Sequence, residues 1–98
     1  MIMENNLIII SDYCSHCNVE PEFIKMLSDD GLIDIQQVEE HYCFPVSQLD
    51  KIEKYSHLYY DLSINIAGID AICHLLDRVE ELQKRVHVLE RELHFYKP

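Results

Sequence analysis

Residues 72–96 read ICHLLDRVEELQKRVHVLERELHFY. The apolar members Ile72, Leu75, Val79, Leu82, Val86, Leu89, Leu93 and Tyr96 follow one another in alternating steps of three and four residues. That spacing is a heptad stripe along one face of an α-helix. One seam position holds Ile72, Val79, Val86 and Leu93, and the other holds Leu75, Leu82, Leu89 and Tyr96. Between them lie Glu80, Glu81, Lys84, Arg85, Glu90, Arg91 and Glu92, and Glu81 stands one turn before Arg85 in the favourable order. A helix over 66–96 would be roughly 45 Å long at 1.5 Å per residue. A small domain is shorter than that, so the distal seam would face water unless a second chain covered it. Homodimerisation through Val79, Leu82, Val86, Leu89 and Leu93 is therefore expected. The pattern leaves parallel and antiparallel coils both open.

Upstream of this helix, Asn65 is placed to cap it, with Gly68 tolerated in its first turns. A preceding helix is predicted to start at Pro45 and end near Leu62, because Val46, Leu49, Ile52, Tyr55, Tyr59 and Leu62 share a helical spacing. Tyr55 and Tyr59 belong to its core face, whereas Tyr60 points towards the surface.

The N-terminal half alternates short elements. Residues 1–5 read as frayed, and Leu7 to Ile10 reads as a short strand. Ser11 is placed to cap a first helix reaching about Cys17, with Asn18 in the turn and Val19 entering the core. Glu20-Pro21-Glu22 opens a second helix, since proline and acids both suit a first helical turn. Phe23, Ile24 and Leu27 give that helix an apolar face, and Gly31 is its stop. Two short helices joined by a tight turn make a helix-turn-helix. The stretch Gln36 to Phe44 can then pair with the first strand as a wing. The chain divides at 1–62, a winged helix-turn-helix-like domain, and 63–98, a long coiled-coil-like helix. The fold class is mostly α with a small β wing.

Charge narrows the choice of partners. The chain has 98 residues and a net charge of −10. Residues 1–60 hold eleven acids, three lysines and no arginine. Such a surface attracts basic protein and repels a phosphate backbone. Leu7 to Ile10 is too short for a signal-peptide core, and no stretch is apolar enough to span a bilayer. A cytoplasmic address is expected, where the four cysteines stay reduced.

Chemistry-bearing motifs are sparse. The chain lacks a glycine-rich phosphate loop and a local Ser-His-Asp signature, so neither catalysis nor a cofactor is expected. Cys14 and Cys17 form a Cys-x-x-Cys pair that could join His41 and Cys43 around zinc. A His-x-Cys second half departs from usual zinc-finger spacing, and Cys14 falls on the core side of its helix, where cysteine acts as a small hydrophobe. Cys73 is read as a packing residue. His57, His74, His87 and His94 are read as surface residues of helices.

The strand, the run Ser11-Asp12-Tyr13-Cys14, the helix-turn-helix ending Asp30-Gly31-Leu32-Ile33, the aromatic wing and the long terminal helix together resemble MerR-type regulators. With Asp61-Leu62-Ser63-Ile64-Asn65-Ile66-Ala67-Gly68-Ile69 and the Leu-rich helix after it, the chain looks most like the chaperone-modulator CbpM family, a divergent MerR-like branch. The resemblance runs from about Leu7 to Phe95. It implies a non-catalytic protein that binds and restrains the J-domain of a DnaJ-like co-chaperone. J-domains work through a basic helix, which an acidic modulator would complement. Charge and expected exposure select Asp29, Asp30, Glu39, Glu40, Asp50 and Glu53 as candidate contacts.

MerR relatives also bind DNA, so a DNA-binding regulator is the alternative. A recognition helix needs side chains that reach base edges and phosphates, chiefly Arg, Lys, Asn and Gln. The stretch Glu20 to Asp30 offers one lysine, and Gln36 to Tyr42 offers no cation. Nucleic acid is accordingly not the expected partner.

Overall fold

The computed structural model describes residues 6–96. The frayed reading of residues 1–5 lies outside the described residues. Strand β1 (Leu7–Ile9) leads straight into α1 (Ile10–Cys17), and α2 is Pro21–Asp29. The wing is a hairpin of β2 (Gln36–Val38) and β3 (His41–Pro45). A 3-10 turn (Val46–Gln48) precedes α3 (Leu49–Ser56), a π-helical turn follows at His57–Asp61, and α4 spans Ile66–Tyr96.

Most of the expected punctuation is present, each piece with a visible cause. Asn18 ends α1 in the left-handed region (φ 54°, ψ 40°), which asparagine tolerates better than most residues. Pro21 occupies the first turn of α2, where its missing N–H costs nothing. Gly31 has φ +79°. The N–H groups of Gly31 and Leu32 donate to the carbonyls of Ser28 and Leu27 at 3.0 and 2.9 Å, the two bonds of a Schellman stop. Asn65 Oδ1 accepts the Gly68 N–H at 2.8 Å, satisfying one of the orphan donors of α4.

Three local expectations are corrected. Ser11 does not cap α1: the helix begins at Ile10, and extended Ile9 at the cap position provides no side-chain bond. Ile8 and Ile10 are both buried, so core packing rather than a hydroxyl sets where the strand ends. Pro45 is not itself helical, although it stands at the cap of the 3-10 turn that leads into α3. It closes β3 opposite Leu7, and the Val46 N–H donates to the Asn6 carbonyl at 2.9 Å. Finally, α3 does not run in one phase to Leu62. The π turn winds more residues per turn than an α-helix, so the apolar stripe slips and Leu62 is exposed.

The antiparallel sheet has the order β1-β3-β2. Ile8 pairs with Phe44 and Ile9 with Cys43 on one side of β3, while Gln37 pairs with Tyr42 on the other. Positive φ at Glu39 (57°) turns the hairpin. The core gathers Ile8, Phe23, Ile24, Leu27, Phe44, Ile52 and Ile69, each almost fully buried. Tyr13 meets Phe44 edge to face at 5.4 Å between centroids, a favoured aromatic geometry. Buried Ile69, with partly buried Ile66 and Cys73, is where α4 rests on this head. Beyond Cys73 every helical residue through Phe95 is exposed. That segment extends about 33 Å at 1.5 Å per residue, in a molecule measuring 64 × 33 × 21 Å. Among the described residues, no helix is long and apolar enough to cross a membrane.

Candidate functional site

Two surfaces stand out: the α2–wing face of the head and the free length of α4. On the first, α2 turns Phe23, Ile24 and Leu27 inwards and leaves Glu22, Lys25 and Asp29 outside. The wing leaves Gln36, Gln37, Glu39, Glu40, His41 and Tyr42 exposed. Lys25 is the sole cation on α2 and the hairpin. All six charge-selected residues, Asp29, Asp30, Glu39, Glu40, Asp50 and Glu53, are exposed. They do not share one element: two lie at the end of α2, two at the hairpin turn, and two on α3.

Between α2 and the wing lies an apolar cavity of about 470 Å³. Pro21, Ile35 and Tyr42 line it beside Ile10 and Ile24. Its signal in the sequence is Tyr42, which shares a face of β3 with Phe44 but lies past the edge of the core. Phe44 is fully buried, whereas Tyr42 is 58 % exposed. The other lining residues come from α1, α2 and the loop before β2, so chain order alone did not group them.

On the second surface, Leu75, Val79, Leu82, Val86, Leu89 and Leu93 are 48 to 65 % exposed in the single chain. Val88 and Phe95 are exposed outside that stripe. The anticipated Glu81–Arg85 pair forms at 3.3 Å, and Glu80–Lys84 forms at 3.5 Å. Both are solvated and contribute little stability.

The cysteines and histidines do not converge. Cys14 and Cys43 are buried, while Cys17 and His41 are exposed. Among the described residues, no group of three or more His, Cys, Asp or Glu is placed to hold a metal ion. Burial raises the Cys14 thiol, and nearby Cys17 adds to the shift. Burial likewise raises the Cys43 thiol. A raised thiol is a poor nucleophile and a poor ligand at neutral pH. His57, His74, His87 and His94 are all exposed on their helices. His57 contacts Asp61 at 2.7 Å, and His74 hydrogen-bonds the Asp70 carbonyl at 2.8 Å.

The tyrosines act as structure. Burial pushes the Tyr13 phenol up to about 12, with Cys17 and Glu53 adding to the effect. Tyr55 is also pushed up to about 12, again chiefly by burial, and its hydroxyl faces the Leu32 carbonyl at 3.5 Å. Tyr59 stacks on Phe23 at 4.6 Å. Tyr60, 39 % exposed, accepts the Glu20 N–H at 3.0 Å and so ties the entry of α2 to the π turn.

Comparison with curated proteins and with solved structures returns no match. A family model described as MerR HTH family regulatory protein matches residues 8–91. The match takes in the sheet, the helix-turn-helix, the wing and most of α4, and on that extent the chain belongs to the MerR helix-turn-helix regulatory family.

Proposed function

We propose that this chain is a non-catalytic cytoplasmic binding protein of the CbpM type, which inhibits a DnaJ-like J-domain co-chaperone by protein–protein contact. The observation that carries the reading is the charge of the α2–wing face, where a DNA-reading relative needs cations and this chain exposes Lys25 among carboxylates. Acidic residues steer a basic partner and accelerate its encounter. They oppose a phosphate backbone, whose neutralisation by Lys and Arg supplies most non-specific affinity. A homodimer joined through the α4 stripe completes the reading, because an exposed apolar seam of that length calls for cover.

Titration calorimetry against the J-domain of a DnaJ-like protein from the same organism tests it. Saturable binding that weakens with salt is the expected result, and absence of binding would refute it. The second reading is a DNA-binding regulator, which the family match supports as much as the first. Retention of duplex DNA in a gel shift at physiological salt with competitor present would put that reading first.

A further inference from the structure

The geometry points to the groove between α2 and the wing as the seat of one large apolar side chain carried on a cationic helix of a partner protein. This deepens the protein-binding reading above and rests on it. Ile10 and Ile24 are already closed off from water and form the floor, while Pro21, Ile35 and Tyr42 form the walls. A ring as exposed as that of Tyr42, standing beside an apolar hollow, is an anchor of the kind that dominates interface energetics.

Charge selects the occupant. Carboxylates sit next in sequence to the lining residues: Glu20 and Glu22 beside Pro21, and Asp34 beside Ile35. All three are exposed. Over residues 6–50 nine acids face a single lysine. Lys25 lies along the groove, where its alkyl stem can cover apolar surface while the ammonium stays in water. An apolar slot on so acidic a head fits an amphipathic helix whose apolar stripe is bordered by Lys and Arg.

Two probes are titrated by calorimetry into the parent and into Tyr42→Ala and Ser28→Phe variants. One probe is the J-domain of a DnaJ-like protein from the same organism. The other is a synthetic Leu/Lys amphipathic helix, with an Ala/Lys helix of equal charge as control. Tyr42→Ala removes a wall and Ser28→Phe plugs the groove. Circular dichroism checks that each variant is folded, and exposed Tyr42 is the safer position. The expected result is that the Leu/Lys helix binds the parent more tightly than the Ala/Lys helix, and that Tyr42→Ala weakens it about tenfold, as loss of an aromatic anchor does.

Binding of the Leu/Lys helix in this pattern without binding of the J-domain upholds the groove and removes the co-chaperone reading. J-domain binding that is indifferent to Tyr42→Ala and to a folded Ser28→Phe overturns the groove and leaves that reading standing. Equal binding of the Leu/Lys and Ala/Lys helices overturns the apolar seat, and absence of all binding overturns both. A parent dimer that dissociates on Tyr42→Ala in sedimentation would make the groove a self-contact and overturn the proposal.

Discussion

Single residues settle the joints of this protein. Asn65 holds the entry of α4 through the Gly68 N–H. Asn65→Ala should cost about 1 kcal/mol, as loss of a helix cap does, read as a lower urea midpoint with an unchanged slope. A midpoint equal to the parent's would show that packing of Ile66 and Ile69 holds the entry without the cap. Gly68 contributes by absence, because a Cβ there would stand 2.7 Å from the Ile64 methyl.

The buried phenols set a pH limit. Tyr13 and Tyr55 rise from 10.0 to about 12 on folding. Each neutral form is favoured in the native state, so the contribution is complete below pH 10.0 and is lost as pH climbs towards 12. The buried thiols of Cys14 and Cys43 shift upwards from 9.0 and begin the loss earlier. Thermal melts should therefore show a midpoint falling steeply above pH 9, the fall being shallower in Tyr13→Phe. An alkaline limb identical in that variant would assign the loss to other groups.

Among the elements, α4 and the α2–wing pair carry the functional readings. The part of α4 beyond Cys73 is exposed along its length in the single chain, so its apolar stripe answers to something other than the head's own core. Leu82→Asp with Leu89→Asp should yield a monomer in analytical ultracentrifugation. The circular dichroism of the head should be retained, because both side chains are exposed in the single chain. If the double variant keeps the parent's mass, the interface lies elsewhere or the parent is itself a monomer.

The π turn after α3 is an element that periodicity alone does not reveal. Val46, Leu49, Ile52 and Tyr55 keep the helical spacing, and the break appears only at Leu62. It lets Tyr59 and Tyr60 both reach Phe23, at 4.6 and 5.3 Å, which two consecutive residues of a regular α-helix do less readily. Ser63 then turns the chain at φ 57° and sends α4 away from the head.

The whole molecule is an acidic head on a long apolar-striped arm. Long-range attraction to a basic partner depends on the summed field more than on any one carboxylate. Changing Asp29, Asp30, Glu39, Glu40, Asp50 and Glu53 together to Lys should slow association with a J-domain by about tenfold or more at low salt. It should also flatten the dependence of the on-rate on ionic strength, measured by stopped flow. An unchanged rate and an unchanged salt slope would remove these residues from the encounter surface. The six are spread over α2, the hairpin turn and α3, an arrangement better suited to steering than to a single contact patch.

What the amino-acid order determined by itself is everything governed by local spacing and backbone chemistry. The helical stripe from Ile72 to Leu93, the left-handed Asn18, the Gly31 stop, the Pro21 start and the Asn65 cap each follow from residues a few positions apart. So did the pairing of the first strand with the wing, because apolar β-formers had to find a partner strand. Tertiary structure decided the rest. Burial of Ile8 and Ile10, not the hydroxyl of Ser11, set where β1 becomes α1, and pairing with Leu7 drew Pro45 into β3. The groove beneath Tyr42 exists only because the wing folds back towards α2. Its lining residues are scattered between Ile10 and Tyr42, and no local rule relates them. Spacing records what one element presents; the hollow between elements depends on how closely their packed faces approach.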